Sequence, residues 1–223
     1  MKIGFISDSH GNLASMKRCI INLKEKGAKK IYFLGDSVGY IPSCGAIEFL
    51  NRNRGIECIL GNHEAMLLNG VFNESKDKVY QLKTIENLIS NESLDYIKTW
   101  PKSIELVTHV GKLLLVHGSP IDFTNGYVYP DTDLKVFADS GYEFIFMGHT
   151  HRPFIRYEGN TCFVNIGSSG LPRDYGNLAS CALLDSVTSS IEILQVDIED
   201  INIYNSKNYD IHTSVKKIFN RRA

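Results

Sequence analysis

Residues 2–10 read KIGFISDSH, and the change of character within them decides the fold. Residues 2–7 form a short apolar run suited to a buried strand. The run then stops on Asp8-Ser9-His10, a carboxylate and an imidazole delivered at a strand end. Beyond it, Leu13, Met16, Ile20 and Leu23 fall at helical spacing, with Asn12 as N-cap and Gly27 as C-cap. Residues 31–34 read as the next strand and run into Gly35-Asp36. Residues 46–51 read as a helix, and residues 56–60 as a third strand that runs into Gly61-Asn62-His63-Glu64. This βαβαβ order implies a parallel sheet with right-handed crossovers. Ligands of such sheets bind outside the carboxyl ends of the strands. Asp8, Asp36 and Asn62 are therefore expected at one rim.

Residues 64–100 look helical, in three pieces broken near Asn73 and Asn91. Residues 104–108 and 112–116 resemble a hairpin around Val110-Gly111, and His117 follows directly. A loop at 118–130 carries Phe123, Tyr127 and Tyr129, which are expected to seal a sheet edge, with stacking on a base as the alternative. Residues 131–140 read as a helix. Residues 144–147 read as a strand leading into Gly148-His149-Thr150-His151. After His151 the signals are consecutive strands, at 154–157, 162–165, 179–185 and 191–195, which suggest a second, mainly antiparallel sheet packed on the first. One domain over 1–204 is expected, with 205–223 as a terminal helix or tail ending in Lys216, Lys217, Arg221 and Arg222.

The 223 residues carry a net charge of −1, with 43% hydrophobic and 22% charged residues. Nothing in that balance gives the basic footprint of a nucleic-acid binder. No apolar run approaches the roughly 18 residues of a membrane span. Five dispersed cysteines, Cys19, Cys44, Cys58, Cys162 and Cys181, form no CxxC pair. Free thiols in a reducing compartment are expected. Met1 leads straight into the first strand without signal-peptide organisation, so a cytoplasmic location is expected.

The five polar segments supply two aspartates, one asparagine and five of the chain's seven histidines. Carboxylate, amide oxygen and imidazole together suit a pair of divalent ions. Asp8 and His10, two apart on an extended strand end, are expected to face the same ion. Asp36 can set a carboxylate oxygen between two ions, and Asn62 offers a neutral oxygen. His149 and His151 could serve one ion each, His117 completes the set, and His63 is left over beside it. A carboxylate-bridged pair of ions lies about 3.5–4 Å apart and brings water to hydroxide near neutral pH, which suits in-line attack on phosphorus.

The succession D-x-H, GD, GNH[DE], a later H and GHTH, over residues 8–151, resembles the calcineurin-like metallophosphoesterase superfamily. Asn165-Ile166-Gly167-Ser168 with Pro172-Arg173-Asp174 resembles its small bacterial and archaeal branch. The resemblance implies an α/β fold, a four-layer α/β/β/α sandwich of two mixed sheets flanked by helices. It also implies two metal ions, Mn²⁺ foremost, with Fe, Ni²⁺, Zn²⁺ or Mg²⁺ compatible. Asp8, His10, Asp36 and His151 resemble the ligands of the first metal. Asp36, Asn62, His117 and His149 resemble those of the second. His63 resembles the histidine near the leaving group, a proton or hydrogen-bond donor. Asn62, His63 and Arg173 are the candidates for touching substrate.

The protein Ser/Thr phosphatase branch continues its second motif as GDxxDRG. Here Gly39 stands for the acidic partner of the histidine and Tyr40 for the phosphate-clamping arginine. The expectation is therefore a hydrolase of phosphodiesters or small nucleotide-type substrates. A phosphomonoesterase and a non-catalytic scaffold of the same fold are the alternatives. Glu64 or a water is expected to orient His63. The partner is a small phosphorylated molecule rather than nucleic acid or membrane, and a homo-oligomer stays open.

Overall fold

Strand β1 (Lys2–Ile6) lies at the centre of a sheet because its neighbours on both sides come from distant sequence. It pairs in parallel with β2 (Lys30–Phe33), which pairs in parallel with β3 (Ile56–Cys58). On its other side it runs antiparallel to β9 (Leu178–Asp185), itself paired with β10 (Ser190–Asp197). The sheet order is β10-β9-β1-β2-β3. The computed structural model describes residues 1–70, 72–137, 140–198 and 209–222.

A second five-stranded sheet has the order β4-β5-β6-β8-β7. Its strands are β4 (Ser103–Thr108), β5 (Gly111–Val116), β6 (Phe144–Met147), β7 (Phe154–Glu158) and β8 (Thr161–Asn165). β5, β6 and β8 are mutually parallel, while β4 and β7 run antiparallel at the edges. The expectation of a mainly antiparallel sheet formed by the last strands is thus corrected. β7 and β8 join the hairpin strands, whereas β9 and β10 return to the first sheet. Alternation of apolar residues marks a strand but carries no record of its partner.

The inner faces of the sheets meet in an apolar layer. Ile3, Phe5, Tyr32 and Leu34 face Leu113, Leu115, Phe144, Phe146 and Val164. The Phe5 and Phe146 rings stack with centroids 3.9 Å apart. The outer face of the first sheet is covered by α1 (Leu13–Glu25), α2 (Gly45–Arg52), α3 (Asn62–Asn69), α5 (Leu82–Leu88) and α6 (Asn91–Lys98) through Met16, Leu23, Ile47, Leu67, Ile85 and Ile97. Asn12 caps α1 as expected, its side chain accepting from the Ser15 amide. The described residues of 62–98 form four helices rather than three. Gln81, at φ 60°, separates α4 (Glu74–Tyr80) from α5.

The outer face of the second sheet is covered by Val128, Leu134 and Phe137. Where a helix over 131–140 was expected, the described residues hold a 3-10 turn, Leu134–Phe137; residues 138 and 139 lie outside the described set. Only Leu134 and Phe137 of that turn are buried, one turn's worth of apolar contact. The terminal segment forms α7 (Thr213–Phe219), whose Val215 and Phe219 pack on Tyr40, Ile41 and Leu171. The proposed domain boundary at 204/205 lies outside the described residues. No helix among the described residues is long and apolar enough to cross a membrane.

Candidate metal centre

The carboxyl ends of the strands meet at one rim, and both sheets contribute. Asp8, Asp36 and Asn62 follow β1, β2 and β3, while His117 and His149 follow β5 and β6. Their ligand atoms gather into three overlapping groups in which all atoms lie within 4.8 Å of one another: Asp8, His10 and His151; His10, Asp36 and His63; Asp36, His117 and His149. Asn62 joins the last group, its Oδ1 being 3.1 Å from His117 Nε2. Every residue named for the site except Arg173 therefore converges here.

The backbone route differs from the expected extended strand end. Asp8, His10, Asp36, His149 and His151 have φ between 44° and 64°, and Tyr40 beside them has φ 63°. Six left-handed side-chain-bearing residues in one cluster store strain of about 1 kcal/mol or more each, a common mark of a functional site. The surrounding hydrogen bonds overdetermine them. The amides of Asp8, His10 and Gly11 donate to the carbonyls of Gly35, Asp36 and Ser37 at 2.9–3.0 Å. The turn, rather than the pleat, brings Asp8 Oδ1 to 3.7 Å from His10 Nε2.

Hydrogen bonds also fix the rings. Nδ1 of His10 donates to Val38 O at 2.9 Å, and Nδ1 of His151 donates to Leu171 O at 2.5 Å. Both Nε2 atoms then present lone pairs to one another at 3.1 Å. Asp8 Oδ1, buried and without a hydrogen-bond donor, lies 3.2 Å from His151 Nε2. Facing lone pairs beside an undonated carboxylate oxygen are unfavourable unless a cation or proton sits among them. His117 Nδ1 likewise donates to Leu34 O at 2.7 Å, which aims its Nε2 at Asp36 Oδ2, 3.4 Å away. The donor set fits divalent cations of the borderline class.

Burial works to raise the carboxyls of Asp8 and Asp36, yet the surrounding imidazoles hold both well below the usual range. Burial works to depress His117, but Asp36 and Asp8 overcome it and lift the ring to about 10. His63 is pushed down to about 3 by burial, and His149 to about 4 by burial with His117.

His63 belongs only to the middle group, with His10 and Asp36. Its amide donates to Asp36 Oδ1 at 2.9 Å, and its Nε2 lies 4.0 Å from Asp36 Oδ2. Tyr40 stacks on it at 5.1 Å and Tyr80 tilts against it at 4.8 Å. A Cβ on Gly39, whose φ is 94°, would sit 2.1 Å from His63 Nδ1. The ring thus occupies the space an acidic side chain would take, which accounts for the glycine in the second motif.

Glu64, expected as a partner for His63, does something else. Its carboxylate accepts from the Asp36 amide, the Ser37 amide and hydroxyl, and the Gly61 amide at 2.6–3.1 Å. Glu64 therefore clamps the Asp36 turn onto the start of α3. Sequence reasoning missed this role, Tyr80, and the supports of the last motif. Asn165 Nδ2 donates to Gly148 O at 2.7 Å, and Ser168 Oγ donates to Asp8 O at 2.6 Å. The Asn165–Ser168 motif was the signal that could have found these supports. Arg173 lies outside the cage, with Nη2 donating to Tyr40 Oη at 2.9 Å.

Residues 1–189 match the calcineurin-like phosphoesterase superfamily domain. The chain belongs to that superfamily. It is therefore a metallophosphoesterase, a hydrolase of phosphoester bonds. An uncharacterized protein of Methanocaldococcus jannaschii is 31% identical, over 99% of this chain and 93% of that protein. The phosphodiesterase YfcE of Escherichia coli K12 is 24% identical, over 86% of this chain and 91% of its own. A hypothetical protein of Pyrococcus horikoshii OT3 shares the fold with a TM-score of 0.84 at 20% identity, covering 100% of this chain and 99% of that one.

Proposed function

We propose that the chain hydrolyses phosphodiesters or small nucleotide-type phosphoesters at two divalent cations bridged by Asp36. The observation that carries the reading is that two buried ligand groups, Asp8-His10-His151 and Asp36-His117-His149, adjoin through Asp36. Asp36 Oδ2 lies 3.6 Å from His10 Nε2 in the first direction and 3.4 Å from His117 Nε2 in the second. Asp8, His10, Asp36 and His151 would hold one ion; Asp36, Asn62, His117 and His149 would hold the other. When bound, such a pair neutralises phosphoryl oxygens and supplies an acidified water as nucleophile.

His63 acts on the substrate and holds no ion. Burial keeps its imidazole neutral, Gly39 blocks Nδ1, and Nε2 is the ring nitrogen that faces the cage and a bound phosphate. Its role is to donate a hydrogen bond as charge builds on phosphorus and the leaving oxygen. Tyr40 and Tyr80 hold the ring at that angle and keep water off its faces. The diester preference is supported by the absence of the clamp arginine at Tyr40 and by the activity in the name of the E. coli relative. Mn²⁺ is the ion we expect. Five buried free thiols support a reducing, cytoplasmic setting.

Turnover of bis(p-nitrophenyl) phosphate and p-nitrophenyl phosphate after Mn²⁺ reconstitution tests the reading. The diester is expected to be cleaved with the higher kcat/KM. Cleavage of neither would remove the catalytic reading and favour a scaffold.

A further inference from the structure

A cavity of 680 Å³ adjoins the cage on the side of His63. Tyr40 and Tyr80, the two rings that bracket His63, form its inner wall. Lys76, Arg152, Arg173 and Arg221 line it, and no carboxylate does. Among the described residues, none of these four cations has an acidic side chain within salt-bridge distance. Two carboxyls adjoin these cations in sequence: Asp77, whose Oδ1 accepts from the Leu82 and Lys83 amides at 2.8 and 3.3 Å, and Asp174, which burial raises against its backbone hydrogen bonds and Arg152.

 Arg173 Nε is itself buried and without a hydrogen-bond acceptor, while its Nη2 is held by Tyr40 Oη. Four convergent cations beside a phosphate-cleaving centre form a field that only further negative charge satisfies.

Aromatic surface flanks the same opening. Tyr129 lines the cavity, and Tyr127 stacks parallel to it at 5.7 Å with an interplanar angle of 6°. Tyr127 also lies 4.0 Å from the His149 ring. Both tyrosines stay substantially exposed, at 53% and 40%, so they do not seal the sheet edge as the sequence suggested, whereas Phe123 is half-buried against the outer core of the second sheet. A parallel pair of exposed rings at the mouth of a cationic cavity offers stacking to a nucleobase.

We propose that this cavity is a subsite for a second phosphate, and that the substrates are nucleotides whose attacked phosphorus is joined to at least one further phosphate. The inference rests on the hydrolase reading above and names its substrate class. The bond cleaved lies between the attacked phosphorus and its bridging oxygen. Water supplies the new P–O bond, the departing phosphate oxygen keeps the electron pair, and the protons of water pass to the products and solvent. Arg173 and Tyr40 set the inner end of the subsite. Lys76 from α4, Arg152 after β6 and Arg221 after α7 close round its outer end. The terminal helix thereby gains a task, since Arg221 Nη1 also donates to Arg173 O at 2.8 Å.

The test compares ATP with AMP on the Mn²⁺-reconstituted full chain and on the exposed double variant Lys76→Gln/Arg152→Gln. The wild type is expected to favour ATP over AMP in kcat/KM by at least about tenfold, and the variant to lose at least about tenfold of that preference. Calorimetric titration of the metal-free proteins with inorganic tripolyphosphate gives a readout that needs no turnover. Binding is expected to be at least about tenfold weaker in the variant. An ATP preference or a tripolyphosphate affinity unchanged by the two substitutions would overturn the subsite, as would a wild type that binds no tripolyphosphate. If bis(p-nitrophenyl) phosphate is cleaved while these results fail, the hydrolase reading stands and the subsite falls. If no substrate is cleaved, the hydrolase reading falls and the titration alone decides the subsite.

Discussion

Glu64 holds the Asp36 turn through both of its oxygens. Asp36 N, Ser37 N, Ser37 Oγ and Gly61 N all donate to it in a buried setting. Glu64→Ala leaves those donors without an acceptor, and a loss of about 3 kcal/mol is expected in denaturant unfolding. An unchanged midpoint would show that water replaces the carboxylate. Asp36 is the counterpart on the chemical side. Asp36→Asn keeps the shape and removes the shared charge, so activity should fall at least about a hundredfold, several kcal/mol of transition-state stabilisation. The loss should exceed that of His149→Ala, measured as kcat/KM at saturating Mn²⁺. The convergence of the cage residues was legible in the sequence, because carboxylates and imidazoles after apolar strands have few structural uses together. The setting of His63 was not, because Tyr80 comes from a helix with no motif and Gly39 acts by leaving room.

At the scale of elements, the βαβαβ half was legible because local signals and pairing agree there. Parallel strands joined by helices leave one topology once handedness is fixed. Asn12 shows the same agreement in a single cap: its Oδ1 accepts from Ser15 N at 3.2 Å, while its Nδ2 donates to Gly170 O at 3.0 Å. Asn12→Ala is expected to cost about 1–2 kcal/mol in thermal unfolding, since it removes a helix cap and leaves a buried carbonyl unpaired. A cost near zero would mean that α1 is held by its apolar face alone. The later strands were legible as strands and not as partners. β8 lies between β6 and β7, and β9 crosses back to β1, and both choices depend on which inner face each strand can fill. The helix expected over 131–140 failed for a related reason, since a 3-10 turn burying Leu134 and Phe137 covers that part of the sheet.

At the scale of the molecule, the cage joins the two sheets. Asp8, His10, Asp36 and Asn62 follow strands of the first sheet, and His117, His149 and His151 follow strands of the second. Filling it should therefore stabilise the whole fold, by about 4 kcal/mol when the metal stands at a thousand times its Kd. The same arrangement fixes a pH dependence. In the metal-free protein His117 is raised to about 10, so at pH 7 its ring carries two protons. His149 is lowered to about 4 and is already neutral there. Metal takes only neutral imidazole, so binding must displace the second His117 proton, and affinity falls as pH falls. Calorimetry of Mn²⁺ binding at pH 7 in buffers of different ionisation enthalpy should report release of about one proton per molecule. Activity at limiting Mn²⁺ should decline from pH 8 toward pH 5, and excess Mn²⁺ should restore part of the loss. Binding without proton release, or a rate still rising toward pH 5, would mean that His117 is not a ligand and that the second half of the cage holds no ion.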